Sequence, residues 1–272
     1  MSTIKKRTIV ITGGAGGIGS ACAEVLNDYK LIITDYSLED VDKVVNNFKE
    51  RGFDAVGIPC DITKKDDVEK LMKFSLEQGD FGGLIHTAGV SGSAKNIKKV
   101  FDIDLVGTDI IIESFYKIAT PDSVLVLFSS MMGHTVPPNA EYDEALLNPQ
   151  MQDSFSTIAR FVKDDADMMY NFAKRGVLLL LKENAYRMGK KGARIVSVSP
   201  GVIMTPMAVK AAEEHPERMK KLKEMTPLGR NGTPQDIAEV VKFLVGKKAE
   251  FITGSDILID GGIVTQLLKE GK

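Results

Sequence analysis

The chain has 272 residues, 43% hydrophobic and 26% charged, with 25 Gly, 10 Pro, two Cys and no Trp, a profile that excludes disordered and fibrous classes and predicts a globular protein with its own core. Thirty-five Lys and Arg against 37 Asp and Glu leave a formal charge of −2, so no broad positive field exists for nucleic acid or an anionic membrane. Cys22 and Cys60 are too few to staple a secreted scaffold, and neither they nor His86, His134 and His215 have metal-ligand spacing.

The N-terminal stretch Met1-Ser2-Thr3-Ile4-Lys5-Lys6-Arg7 has no signal-like apolar region, and the longest apolar run, 177–181, is well short of the roughly 20 residues of a membrane span. A cytoplasmic protein is expected. Short β-branched runs then alternate with helical-period segments, which predicts a doubly wound parallel sheet with helices on both faces, an α/β fold of the Rossmann type. Strands are predicted at 8–12, 31–35, 55–59, 83–87, 123–129, 193–199 and 257–260. Ile18, Ala21, Cys22, Val25 and Leu26 form the apolar stripe of the first helix. No repeat or linker divides the chain, so one domain over residues 1–272 is expected. Two stretches break the rhythm. Residues 137–165, spotted with Leu146, Leu147, Met151, Phe155, Ile158 and Phe161, read as a helical insertion; residues 205–232, with Glu213-Glu214 and Lys220-Lys221 on solvated faces, read as a substrate lid.

Between the first strand and first helix lies Thr12-Gly13-Gly14-Ala15-Gly16-Gly17-Ile18-Gly19. A glycine-rich turn there lets backbone N–H groups and the helix dipole approach a pyrophosphate. Asp35, at the predicted end of the second strand, supplies a carboxylate for a ribose diol and would repel a phosphate in the same place, so NAD is expected over NADP. Tyr170 and Lys174 stand four residues apart on one helical face. A cation beside a phenol favours the phenolate, which suits proton transfer. Methyl transfer from S-adenosylmethionine also uses a glycine loop and an acid after the second strand, but it has no use for this pair.

The glycine loop at 12–19, Asp61-Ile62 after the third strand, Tyr170 with Lys174, and Pro200-Gly201 followed by Thr205 together resemble the short-chain dehydrogenase/reductase family over almost the whole chain. The ending, Pro227-Leu228-Gly229-Arg230 through Thr253-Gly254 and Asp260-Gly261-Gly262, is similar to that family's as well. The resemblance implies that Tyr170 is the acid/base, that Lys174 lowers its pKa and holds the nicotinamide ribose, and that Ser130 hydrogen-bonds the reacting oxygen. Ser129 is the rival, but Ser130 stands three before Gly133, as in the family's Ser-x-x-Gly. Implied cofactor contacts are Gly13, Gly17, Ile18 and Gly19 at the glycine loop, Asp61 and Ile62 at the adenine, Ala88 and Gly89 after the fourth strand, and Ile203 and Thr205 at the carboxamide.

Three departures from the family pattern stand out. The usual Asn-Asn-Ala-Gly is His86-Thr87-Ala88-Gly89, with His86 read as a sheet-end structural residue that lacks a visible partner. Asp104 stands where the family has a catalytic Asn whose backbone carbonyl holds a relay water. Ser130 and Tyr170 are separated by about three times the family's usual distance; Tyr142 sits nearer that distance, but Leu146 replaces its lysine. The long 137–165 stretch and the short loop from Gly89 to Asp104 resemble the bacterial hydroxysteroid dehydrogenase/carbonyl reductase branch. An alcohol/ketone oxidoreductase is therefore expected, with Val136, Leu146, Leu147, Met204 and Met207 suggesting a hydrophobic alicyclic or steroid-like substrate, or else packing or an interface. The family resemblance also implies a homodimer or homotetramer. The altered 86, 87 and 104 positions leave open an NAD-binding scaffold without turnover.

Overall fold

The structure, a computed structural model, describes residues 6–91, 94–206, 208–209 and 216–270. Among these residues, seven parallel strands form one sheet: β1 (Thr8–Thr12), β2 (Lys30–Thr34), β3 (Ala55–Gly57), β4 (Phe81–His86), β5 (Val124–Phe128), β6 (Arg194–Pro200) and β7 (Asp256–Ile259). Their order is β3-β2-β1-β4-β5-β6-β7. Every predicted strand is present, with ends shifted by a residue or two. Asp35 lies just beyond β2, where its carboxylate accepts from the next backbone N–H, that of Tyr36, a local bond that competes with further pairing. β1, β4 and β5 are buried along their whole length, so they read as continuous apolar runs rather than alternating ones.

The helices in chain order are α1 (Gly17–Val25), α2 (Leu38–Glu50), α3 (Lys65–Glu77), α4 (Ile97–Phe101), α5 (Gly107–Ile118), α6 (Ala140–Leu147) and α7 (Ser154–Val162). They continue with α8 (Ala166–Lys190), α9 (Pro216–Met225), α10 (Pro234–Val245) and α11 (Ile263–Glu270). One face of the sheet packs Ile9, Ile11 and Ile33 against Cys22 of α1 and Leu26 just after it, Val41 and Phe48 of α2 and Val241 of α10. The other packs Val10, Ile32 and Leu125 against Leu71 of α3, Phe115 of α5 and Val177 and Leu181 of α8. The chain runs outward from β1 to β3 and returns through β4 in the opposite direction. That reversal parts the loops after β1 and β4 and opens a crevice at the carboxyl end of the sheet.

The 137–165 stretch folds as α6 and α7 and seats on α8. The Tyr142 ring stands 5.1 Å from Phe161 and 4.8 Å from Phe172, edge on. Arg175 donates from Nε and Nη2 to the two Asp143 oxygens at 2.6 and 2.5 Å. Val136 and Leu146, offered by the sequence as substrate-facing or packing residues, are core: they are 6% and 0% exposed, because α6 turns that edge onto α8. Leu147 is half-buried, and the Met204 sulfur takes the Asn231 amide at 3.3 Å. In the 205–232 stretch, Lys220 and Lys221 are exposed on α9 as expected; Met207, Glu213, Glu214 and His215 lie outside the described residues. Among the described residues, no helix is long and apolar enough to cross a membrane.

Candidate active site

The crevice between β1 and β4 holds a cleft of about 950 Å³. Of the candidate cofactor residues, Gly13, Asp35, Asp61, Ile62, Ala88 and Gly89 line it. Gly13 sits at φ +66°, and a Cβ there would strike the Ala88 nitrogen at 2.6 Å, so this turn requires glycine. α1 begins after Gly16, which offers no side-chain cap; the helix's first N–H groups are left for an anion. Asp35 is fixed at the rim, with Oδ2 accepting from Ala15 N–H at 3.2 Å and Oδ1 from Tyr36 N–H at 2.8 Å. A tight glycine turn, an uncapped helix start and a rim carboxylate fit the pyrophosphate and ribose of a dinucleotide.

Several candidates lie outside this cleft. A Cβ on Gly17 would stand 3.0 Å from both Thr205 and Pro206, and one on Gly19 would collide with the Gly13 carbonyl, so Gly19 permits the close packing of helix under turn. Ile18 is partly buried against the α1 side of the core. Ile203 is buried and its carbonyl accepts from Thr205 N–H at 2.8 Å. Thr205 Oγ accepts from Ala208 N–H. The sequence missed the far wall of the cleft, where Asn96, the N-cap of α4, and Lys98 and Lys99 of α4 stand beside Asp102 and Ile103. The short loop from Gly89, which brings α4 to the rim, was the signal for it.

Behind the cleft, β5 and α8 bring together the candidates for proton transfer. Lys174 is 6% exposed; its Nζ donates to the Phe128 carbonyl at 3.3 Å, lies 3.5 Å from Asp104 Oδ2 and 5.4 Å from the Tyr170 ring centroid. Tyr170 is half-buried, and its hydroxyl makes no hydrogen bond among the described residues. Ser129 Oγ donates to the Lys174 carbonyl at 2.7 Å, which commits it to holding α8. Ser130 Oγ only accepts from Met132 N–H at 3.2 Å, so its own proton stays available. The Ser-x-x-Gly spacing has a steric reason, since a Cβ on Gly133 would meet the Lys174 backbone at 2.8 Å. Tyr142, the rival tyrosine, is buried and donates to the Pro137 carbonyl.

Asp104 lies in a π-helical turn, Asp102–Val106, between α4 and α5, a widening often found at functional sites. It is fully buried. Oδ1 accepts from Val90 N–H at 2.7 Å, while Oδ2 takes no hydrogen bond. Burial pushes the Asp104 carboxyl above its ordinary range, against the pull of Lys174 and the Val90 N–H. Burial works against the Lys174 ammonium too, but Asp104 and then Tyr170 outweigh it and raise its pKa. The ammonium stays charged.

His86, for which the sequence shows no partner, has two. Thr108 Oγ donates to the Asp104 carbonyl at 2.8 Å, so it accepts from His86 Nε2 at 3.1 Å. His86 Nδ1 then accepts from Thr12 Oγ at 2.7 Å, and Thr12 Oγ accepts from Ala88 N–H at 3.4 Å. Burial, with Lys174 nearby, lowers the His86 pKa to about 3. It is a neutral strut between the glycine turn and the Asp104 turn, as its structural reading requires.

A family profile described as "short chain dehydrogenase" matches residues 7–142, and one described as "Enoyl-(Acyl carrier protein) reductase" matches residues 154–264. The short-chain dehydrogenase/reductase bsc3 of Alternaria brassicicola is 28% identical over 98% of this chain and 99% of its own. The 7alpha-hydroxysteroid dehydrogenase of Bacteroides fragilis is 27% identical over 97% of this chain and 96% of its own. The crystal structure of gox2181, 25% identical, superposes with a TM-score of 0.78 over 96% of this chain and 97% of that one. With its parallel sheet, glycine turn and Tyr/Lys helix in the order the motifs require, the chain belongs to the short-chain dehydrogenase/reductase family.

Proposed function

We propose that this oxidoreductase interconverts a secondary alcohol and a ketone with NAD, as one domain over residues 1–272 carrying the 137–165 insertion and a lid at about 205–232. The observation that carries the reading is the buried Lys174 ammonium, held against the Tyr170 ring at 5.4 Å on the β5 side of a dinucleotide-shaped cleft. Gly13, Gly17, Ile18 and Gly19 receive the pyrophosphate at the start of α1. Asp35 holds the adenosine ribose; Asp61 and Ile62 flank the adenine; Ala88 and Gly89 form the inner wall. Lys174 holds the second ribose, and Ile203 and Thr205 hold the carboxamide. When bound, the nicotinamide ring accepts or supplies the hydride.

In oxidation, the Tyr170 phenolate takes the substrate's hydroxyl proton and Ser130 Oγ–H holds that oxygen; in reduction, Tyr170 returns the proton. Lys174 favours the phenolate by its charge, and Asp104 positions Lys174. The carboxylate at Asp35 supports NAD over NADP, because a 2′-phosphate there would face a fixed negative charge. A hydroxysteroid or other hydrophobic alicyclic compound is the proposed substrate class, supported by the resemblance in sequence to a 7alpha-hydroxysteroid dehydrogenase. The proposed setting is the cytoplasm and the proposed assembly a homodimer or homotetramer.

The test is a panel of steroid, alicyclic, sugar and short-chain alcohols followed by NADH absorbance, run with NAD and NADP, for the wild type and Tyr170→Phe. Turnover should prefer NAD. Loss of the phenol should lower kcat by about 10²- to 10⁴-fold, the span of general acid/base catalysis, while NAD still binds. Undiminished turnover in the Phe variant overturns the mechanism; NAD binding with no turnover on the panel favours the scaffold.

A further inference from the structure

We propose that Asp104 is the counter-ion of Lys174 and thereby sets how strongly the site prefers oxidised over reduced nicotinamide. The inference rests on the reading of this site as a nicotinamide site. Where the family resemblance implies a neutral asparagine, this chain buries a carboxylate completely. One of its oxygens is fixed by the Val90 N–H at 2.7 Å; the other has no hydrogen bond and faces Lys174 Nζ at 3.5 Å. An unpaired buried carboxylate is costly, and a buried ammonium equally so. Each offsets part of the other's penalty.

The surroundings of Lys174 leave that task to Asp104. β4 presents His86, which is neutral. Among the described residues, β5 presents the Phe128 carbonyl at 3.3 Å, and α8 itself presents the phenol of Tyr170. The pair also borders the dinucleotide cleft: a Cβ on Gly89, which lines the cleft, would lie 3.2 Å from Asp104 Oδ1 and 3.5 Å from Lys174 Nζ.

The oxidised nicotinamide ring carries a positive charge and the reduced ring does not. Beside a lone ammonium the oxidised ring is repelled, whereas beside a compensated pair it is not. At an effective dielectric constant near 20, one charge several ångströms away changes relative affinity by more than about tenfold. Asp104→Asn removes the charge while keeping an acceptor for the Val90 N–H, so it separates charge from shape.

The experiment measures the dissociation constants of NAD⁺ by calorimetry and NADH by its fluorescence, for the wild type and Asp104→Asn. The ratio of the NAD⁺ constant to the NADH constant should rise by about tenfold or more in the variant. A ratio unchanged within twofold overturns the proposal while leaving the nicotinamide site intact. If the wild type binds neither nucleotide, the nicotinamide reading falls and this inference falls with it. Should the Asn variant fail to fold, Asp104→Ser removes the same charge and is read by the same ratio.

Discussion

The two sides of α8 carry different kinds of residues over the same two turns. Toward the cleft stand Tyr170 and Lys174, where a buried cation, a phenol without a hydrogen bond and an Asp104 Oδ2 that is ion-paired but accepts no hydrogen bond are held together. Away from it stand Phe172 and Arg175, which meet Tyr142, Phe161 and Asp143 from α6 and α7. On the outer side Arg175, Asp143 and the Tyr142 hydroxyl all have partners. On the inner side the polar groups are incompletely satisfied within the chain, the condition of a surface that awaits a ligand. Packing stabilises one side, and the other spends stability on chemistry.

That contrast can be broken by substitutions that exchange the two outcomes. Ser130→Ala on the inner side should lower kcat/KM by about 10²- to 10³-fold, the cost of losing one preorganised donor to a reacting oxygen, with the thermal midpoint lowered by only a few degrees for the lost Met132 N–H bond. Steady-state kinetics beside calorimetry would read both. A drop in stability with activity intact would place Ser130 among the packing residues, where Ser129 already stands. Phe172→Ala on the outer side should do the opposite. It removes a ring from the Tyr142–Phe161 cluster and should cost about 3 to 4 kcal/mol of unfolding free energy, read by urea denaturation, while the folded fraction keeps its kcat/KM.

How much of this was legible in the sequence follows the same division. The sheet, glycine turn and Tyr170/Lys174 pair were readable because each is local: a run of apolar residues, a turn, or a spacing of four on one helix. Partners distant in the chain left no periodic trace. Nothing in the sequence ties Arg175 to Asp143, Ser129 to the Lys174 carbonyl, or His86 to Thr12 and Thr108, since these contacts arise only when strands and helices stack. The π-helical turn was hidden because it shifts hydrogen bonding by one residue without altering composition. Val136 and Leu146 looked able to face a substrate because apolarity alone does not tell a pocket from a core.

The smallest expected effect tests whether the strut behind the inner side is as neutral as its geometry requires. His86 is buried between two threonine hydroxyls, and burial lowers its pKa to about 3. In the unfolded chain it would titrate near 6.5. Above that pH neither state binds the proton, and His86 adds no pH dependence. Below it the unfolded chain binds a proton that the folded chain refuses, so stability falls as pH falls, by up to about 1.4 kcal/mol per unit for this one group. The loss continues until pH approaches about 3. Asn in its place would titrate in neither state. Unfolding free energies from urea titrations at pH 6, 5 and 4 should therefore decline less steeply in His86→Asn than in the wild type, by about one proton's slope. Parallel declines would mean that the folded protein admits the proton, and that the chain of hydrogen bonds from Ala88 to the Asp104 carbonyl does not hold His86 in one tautomer.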